Sequence, residues 1–227
     1  VDDGLALPEV AATLELDATG GMDAKAPVRA ELLLRGETAN VYRLGLANVP
    51  ATELEPNLRD YWSVIYPAIT PTKVSHHYDA SSGELRLNME GSAEMEWADG
   101  WGRKVYEIDG AGFSGRTDFE REDGPNKDAP WTVMFPYFTQ NITLIKLPDS
   151  GAGFSVRGKD ADQVIGAVHY KRSTAIKDGV ARTESSMRSL APEFPNSEAE
   201  AVGKAMGDLA KERVFVVSPS AGASTVQ

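Results

Sequence analysis

The sequence contains no cysteine. That removes disulfides, thiolate metal sites and every cysteine-nucleophile mechanism from this chain. It fixes no compartment, because many periplasmic proteins also lack cysteine. Long apolar runs are missing as well: none approaches the ~20 residues that a membrane helix needs, and no signal-peptide-like stretch is present, so no membrane insertion is expected. Val1 opens the chain without an initiator methionine, as expected of a processed or excised polypeptide. Positive charge is in deficit, with 23 Lys+Arg against 34 Asp+Glu and a net charge of -11. Such a surface repels nucleic acid and anionic lipid, and neither is expected as a partner.

What remains is an ordinary globular composition in 227 residues, 41% hydrophobic and 25% charged, enough to bury an adequate core. Its clearest signal runs from Glu84 to Trp97. Leu85, Leu87, Met89, Gly91, Ala93, Met95 and Trp97 share one parity, while Glu84, Arg86, Asn88, Glu90, Ser92, Glu94 and Glu96 share the other. Period-two alternation over this length predicts a long strand with one apolar and one wet face, set in a large antiparallel sheet. Residues 10–17 and 28–35 read as an opening hairpin, 74–78 as a strand leading through Asp79–Gly83 into the long one, and 103–108 as a short strand. Residues 116–121 read as a further strand and 132–147 as one or two strands interrupted near Pro136. The segments 164–176 and 180–190 flank Lys177-Asp178-Gly179, whose Asp-Gly pair suits a tight turn.

Helical periodicity is weak over 38–48 and firm over 52–65, where Leu54, Leu58, Tyr61, Trp62 and Ile65 recur at spacings of three and four. Thr52 with Glu55, and Ser197 with Glu200, have the form of capping boxes. The second introduces a helix over 197–212 faced by Val202, Ala205, Met206 and Leu209. Arg213–Val217 then predicts a closing strand, and 218–227 a flexible tail. The expected fold is α+β, mainly β: a large antiparallel sheet or β-sandwich with two or three packed helices, forming a single domain over 1–217.

Motifs for chemistry are thin. Gly110, Gly112 and Gly115 spell G-x-G-x-x-G, but a dinucleotide site needs those glycines between a strand and a helix, and strand-like alternation follows them. Asp118, Glu120, Glu122 and Asp123 precede Gly124 out of register with a calcium-binding loop. The three histidines, His76, His77 and His169, point to no third metal ligand, and adjacent strand positions face opposite ways. No G-x-S-x-G occurs, and Asn141-Ile142-Thr143 is a glycosylation sequon in form only. No cofactor is expected. The aromatics Trp97, Trp101, Tyr106, Trp131, Phe135, Tyr137 and Phe138 suit either a sheet core or a platform for a sugar or peptide. Trp101 and Trp131 flank loops and are expected to be the exposed ones; with Tyr137 they are the candidate ligand-binding residues.

Several segments taken together carry a family resemblance: Asn57-Leu-Arg-Asp-Tyr-Trp62 leading to Ile65-Tyr66-Pro67; Val74–Asp79 with Gly83-Glu-Leu-Arg-Leu87; Gly124-Pro125 with Lys127-Asp-Ala-Pro130 and Phe135-Pro-Tyr137; Gly166–Tyr170; and Arg188-Ser-Leu-Ala-Pro-Glu-Phe-Pro195. Over about residues 10–217 the chain resembles the C-terminal, β-rich region of bacterial secreted transglutaminase-like proteins, whose N-terminal domain has no known function. The resemblance implies a periplasmic or exported, non-catalytic module that binds or scaffolds a protein partner or an adjacent transglutaminase-like core. The catalytic Cys, His and Asp belong to that core, and no position here carries them over. The alternative is a free-standing carbohydrate- or peptide-binding β-sandwich that uses the loop aromatics.

Overall fold

A computed structural model describes residues 4–220. In chain order it contains β1 (Val10–Asp17), β2 (Lys25–Leu34), α1 (Gly36–Ala47), α2 (Ala51–Ile65), β3 (Ile69–Asp79), β4 (Glu84–Glu94), β5 (Ala98–Gly100) and β6 (Arg103–Glu107). There follow β7 (Trp131–Thr132), β8 (Phe138–Lys146), β9 (Ser155–Arg157), β10 (Ala161–Ile165), β11 (Val168–Lys177), β12 (Val180–Ser189), β13 (Glu193–Phe194), α3 (Ala199–Lys211) and β14 (Phe215–Val217). The fold is α+β and mainly β, as the alternation predicts.

Eight strands form the main sheet in the order β10-β11-β12-β8-β1-β2-β4-β3. Every pairing in it is antiparallel except one: β1 runs parallel to β8, with Val10 opposite Thr139 and Asp17 opposite Lys146. The sheet is therefore mixed, because its two halves are built from separate stretches of chain that meet at β1 and β8. The long alternating segment becomes β4, whose Leu85, Leu87 and Met89 are almost wholly buried. Its polar side chains lie on the opposite face, where Arg86 pairs with Glu31 at 3.1 Å and with Glu84 at 2.9 Å. Regular pairing in β4 ends at Glu94, and the chain resumes at Ala98 as part of a second, four-stranded sheet, β5-β6-β14-β9.

One face of the main sheet is covered by two bodies of apolar packing. Helices α1 and α2, through Ala39, Leu58 and Trp62, and the small sheet, through Tyr106 and Val216, with Val214 just ahead of β14, close over β1, β2 and β4. Helix α3 closes over β10 and β11, where Val202, Met206 and Leu209 meet Ile165 and Tyr170. Between these bodies the segment 109–111 is tied to the sheet by polar side chains. Thr143 donates to the Asp109 carbonyl at 2.8 Å, Ser185 to the Gly110 carbonyl at 2.8 Å, and Arg172 to the Ala111 carbonyl at 3.0 Å. The Arg172 side chain is fully buried and meets Glu212 at 2.7 Å, so its charge is paired as a buried charge must be.

Several expectations are corrected. Neither capping box forms: α2 starts behind Pro50 and α3 behind Glu198, without a side-chain cap on either. Pro50 holds the N-cap position of α2, its carbonyl accepting the Glu53 N–H at 2.9 Å, and a 3-10 turn over Asn196–Glu198 leads into α3, so neither start is made by a hydroxyl. Residues 116–121 are not a strand but part of an irregular segment, because no sheet edge lies beside them. The predicted strand 164–176 is two strands, β10 and β11, reversing at Gly166-Ala167. Of the expected tail, Ser218 is buried and its N–H donates to the Lys104 carbonyl at 2.8 Å; residues 221–227 lie outside the described residues.

Candidate functional site

Trp131 occupies the two-residue strand β7, which pairs with β13 so that Trp131 lies opposite Phe194. The Val133 N–H donates to the Pro192 carbonyl at 2.8 Å and extends this ribbon. The indole Nε1–H donates to Asn196 Oδ1 at 2.8 Å, which satisfies the ring's polar end and fixes its tilt. Trp131 is thus 8% exposed, and the expectation that it projects from a loop is overturned. The ribbon turns it inward onto the apolar group beneath α3.

The turn inward forms one wall of a cleft. Phe119 packs edge-on against Trp131, with centroids 5.3 Å apart, and against Phe194 at 5.5 Å. Tyr170 and Ile165 from the main sheet and Val202 and Met206 from α3 complete a cleft of about 330 Å³, the low end of the range for small-ligand sites. Burial, with the neighbouring Tyr137 hydroxyl, raises the Tyr170 phenol above its ordinary pKa. Tyr170 therefore enters the cleft as a neutral hydrogen-bonding group.

Two guanidinium groups sit on the indole. Arg121 lies 3.8 Å from the ring centroid and donates to the carbonyls of Asn126, Ala129 and Pro130. It staples the polar segment 121–130 onto the tryptophan. Arg116 lies 4.6 Å from the Trp131 centroid and 5.3 Å from that of Phe119. Its Nε–H donates to the Asp118 carbonyl, and among the described residues it pairs with no carboxylate. Each stacked guanidinium contributes about 1 kcal/mol at such a site. Neither arginine, nor Phe119, is singled out by periodicity; their only trace is the interleaving of cation and aromatic at 116, 119 and 121, just ahead of Trp131.

The other candidate residues lie apart. Tyr137 is half-buried beside Tyr170, on the chain between Pro136 and β8, where its backbone N–H donates to Ser189 Oγ at 2.8 Å. Trp101 is 53% exposed as expected, but it belongs to the small sheet: Phe215 meets its edge at 5.4 Å and the Arg157 guanidinium lies 3.8 Å from its centroid. That guanidinium occupies a ring face a sugar would need. The structure brings Trp131 and Tyr137 to one region and leaves Trp101 out.

The remaining motifs resolve into packing. The Gly110–Gly115 segment is followed by irregular chain rather than a helix, so the geometry that would seat a pyrophosphate does not form. A Cβ on Gly115 would lie 2.8 Å from Met206 Sδ; its glycine permits the close pass over α3. His76 lies on edge strand β3 and His169 on β11, six strand spacings away, or about 29 Å at the usual separation. His169 meets Asp162 instead, at 2.7 Å. Among the described residues no group of three or more His, Cys, Asp or Glu side chains is placed to hold a metal.

Comparison with models of known protein families, with curated proteins and with solved structures gave no match in any of the three.

Proposed function

We propose that this chain is a binding module without bond-making chemistry of its own, and that its contact site is the cleft beside Trp131. One observation carries the reading: four aromatic rings, from Phe119, Trp131, Tyr170 and Phe194, line one concavity whose walls come from three separated stretches of chain. Packing alone does not require rings from such distant stretches to leave a space between them, whereas binding an apolar group does. The resemblance to the region that follows the core of secreted transglutaminase-like proteins adds a setting to the proposal. In that setting the module is exported or periplasmic, and the neighbouring core or another protein presents the group that the cleft takes. A peptide bound in its own right is the alternative source of the same group. Sugar binding through Trp101 is the weaker form of the alternative, because Arg157 covers that ring.

The test is a two-dimensional NMR screen of the purified chain against apolar-ended peptides and against oligosaccharides, following the Trp131 indole N–H. Peptides are expected to shift it, and Phe119→Ala to weaken the tightest of them by about tenfold or more, the loss of roughly 1.4 kcal/mol of ring contact. Trp101→Ala is expected to change nothing. The opposite pattern, with binding lost in Trp101→Ala and kept in Phe119→Ala, would refute the assignment of the site.

A further inference from the structure

The cleft has an apolar interior and, at its mouth, one cation with unused hydrogen-bonding capacity. Arg116 is exposed, its guanidinium carbon lies over the Trp131 and Phe119 rings, and among the described residues only its Nε–H is engaged by the protein. Asp118, the acid nearest to it in sequence, meets it through its backbone carbonyl and not its carboxylate, whose Oδ1 accepts the Glu120 backbone N–H at 3.1 Å. Elsewhere, Arg35, Arg59, Arg86, Arg172, Arg182 and Arg213 each meet a carboxylate. Arg121, the other guanidinium on the ring, spends its N–H groups on three backbone carbonyls. Among the described residues, Arg116 is the cation of the cleft left with both terminal nitrogens free to make a two-pronged bond.

We propose that the cleft takes an apolar carboxylate: a ligand whose hydrophobic body enters between Phe119, Trp131 and Met206 while its carboxylate receives the paired N–H groups of Arg116. The arrangement is matched to that class on both counts. Contact with the two rings, which stand 75° apart, holds the guanidinium in place and lowers the entropy lost when a planar anion docks on it. A two-pronged guanidinium–carboxylate bond is directional, and it is stronger beside an apolar wall than in open water. The net negative charge of the chain repels anions at long range, so selectivity for the carboxylate arises at Arg116 alone. Such a carboxylate has two sources, a free organic acid or the C-terminal residue of a peptide.

This inference rests on the reading of the cleft as a binding site, and the experiment separates the two. The probes are 3-phenylpropionate and its amide, and acetyl-Ala-Ala-Phe as free acid and as amide, each titrated into the full chain with the Trp131 indole N–H as the signal. Each acid is expected to bind about 10- to 100-fold more tightly than its amide, and Arg116→Gln to bring that ratio to near one. Because Arg116 is exposed, the variant is expected to fold, which an unchanged far-UV circular dichroism spectrum and urea midpoint confirm independently. Tighter binding of the tripeptide acid assigns a chain terminus as the source, and equal affinity assigns a free acid. An acid-to-amide ratio near one, or a ratio that survives Arg116→Gln, overturns the carboxylate anchor but leaves the cleft as a binding site. If neither acids nor amides shift the indole resonance, the binding site itself is refuted and the anchor with it.

Discussion

At Gly203 a single added methyl group would meet the Thr117 carbonyl oxygen at 2.3 Å, well inside van der Waals contact. Four positions further along α3, a methyl on Gly207 would lie 3.7 Å from Thr117 Cγ2, an ordinary distance. Replacing a helical glycine by alanine gains about 1 kcal/mol of helix propensity, whereas forcing a backbone segment aside costs about 1–3 kcal/mol. Gly207→Ala is therefore expected to stabilise the protein and Gly203→Ala to destabilise it, with opposite shifts in urea midpoint. Equal shifts would mean that segment 115–119 does not pass over the helix as described. This close pass explains Gly203 and Gly115 together, and neither was legible as a contact, because sequence spacing does not say which distant stretch a helix will meet.

Asp79 gives a residue-scale prediction in pH. Its carboxylate accepts Ser81 Oγ–H at 2.6 Å, the Ser81 backbone N–H at 2.8 Å and Ser82 Oγ–H at 3.0 Å. These bonds favour the ionised form and hold its pKa down to about 2, against the ordinary 3.8. Since the folded value lies below the unfolded one, the stabilisation is complete above about pH 4 and is lost as the pH falls towards 2. A carbon-detected NMR titration should place the Asp79 midpoint near 2 in the native chain and higher in Ser81→Ala. A native midpoint near 4 would show that the turn is not closed by these bonds.

Among the elements, strands were legible and their ends were not. The alternation in β4, the Asp-Gly reversal between β11 and β12, and the opening hairpin are local patterns, and each formed where it was expected. The Arg116–Arg121 segment shows why such reading stops short. Its alternation is real, but a strand needs a free edge beside it, and the nearest neighbours there are Trp131 and α3. Trp131 itself illustrates the same limit: the ribbon that turns it inward is completed by Phe194, which lies 63 positions further along the chain. Helix starts offer a direct check. A hydroxyl that caps a helix contributes about 1 kcal/mol, but Thr52 and Ser197 cap nothing here. Thr52→Ala and Ser197→Ala are each expected to change unfolding free energy by less than about 0.5 kcal/mol in urea titration. A loss near 1 kcal/mol from either would restore the capping box at that start.

For the molecule as a whole, the order of the main sheet was the least legible feature. Nothing local in β1 indicates that its second neighbour is β8 or that they run parallel; that follows from how both halves cover their apolar faces. The pairing makes a clear prediction about cooperativity. Residues 10–94 and 138–189 share one ladder through β1 and β8, and Arg172 and Thr143 bind the crossing segment 109–111 to the same sheet. Heating followed by far-UV circular dichroism and by tryptophan fluorescence should give coincident curves, as for a single folding unit. Two separated midpoints would divide the chain into independent halves at that ladder.

The parallel ladder also has a consequence for how the chain is made. Strand β1 leaves the ribosome ahead of the strand that completes its second edge, which follows roughly 130 residues later, a delay of about 6–26 s at usual rates of synthesis. Throughout that interval β1 has one unpaired edge, with Leu14 and Leu16 waiting for the rest of their cover. The nascent protein is therefore most exposed to mispairing at its own centre, and a holding chaperone would have most to gain by binding there.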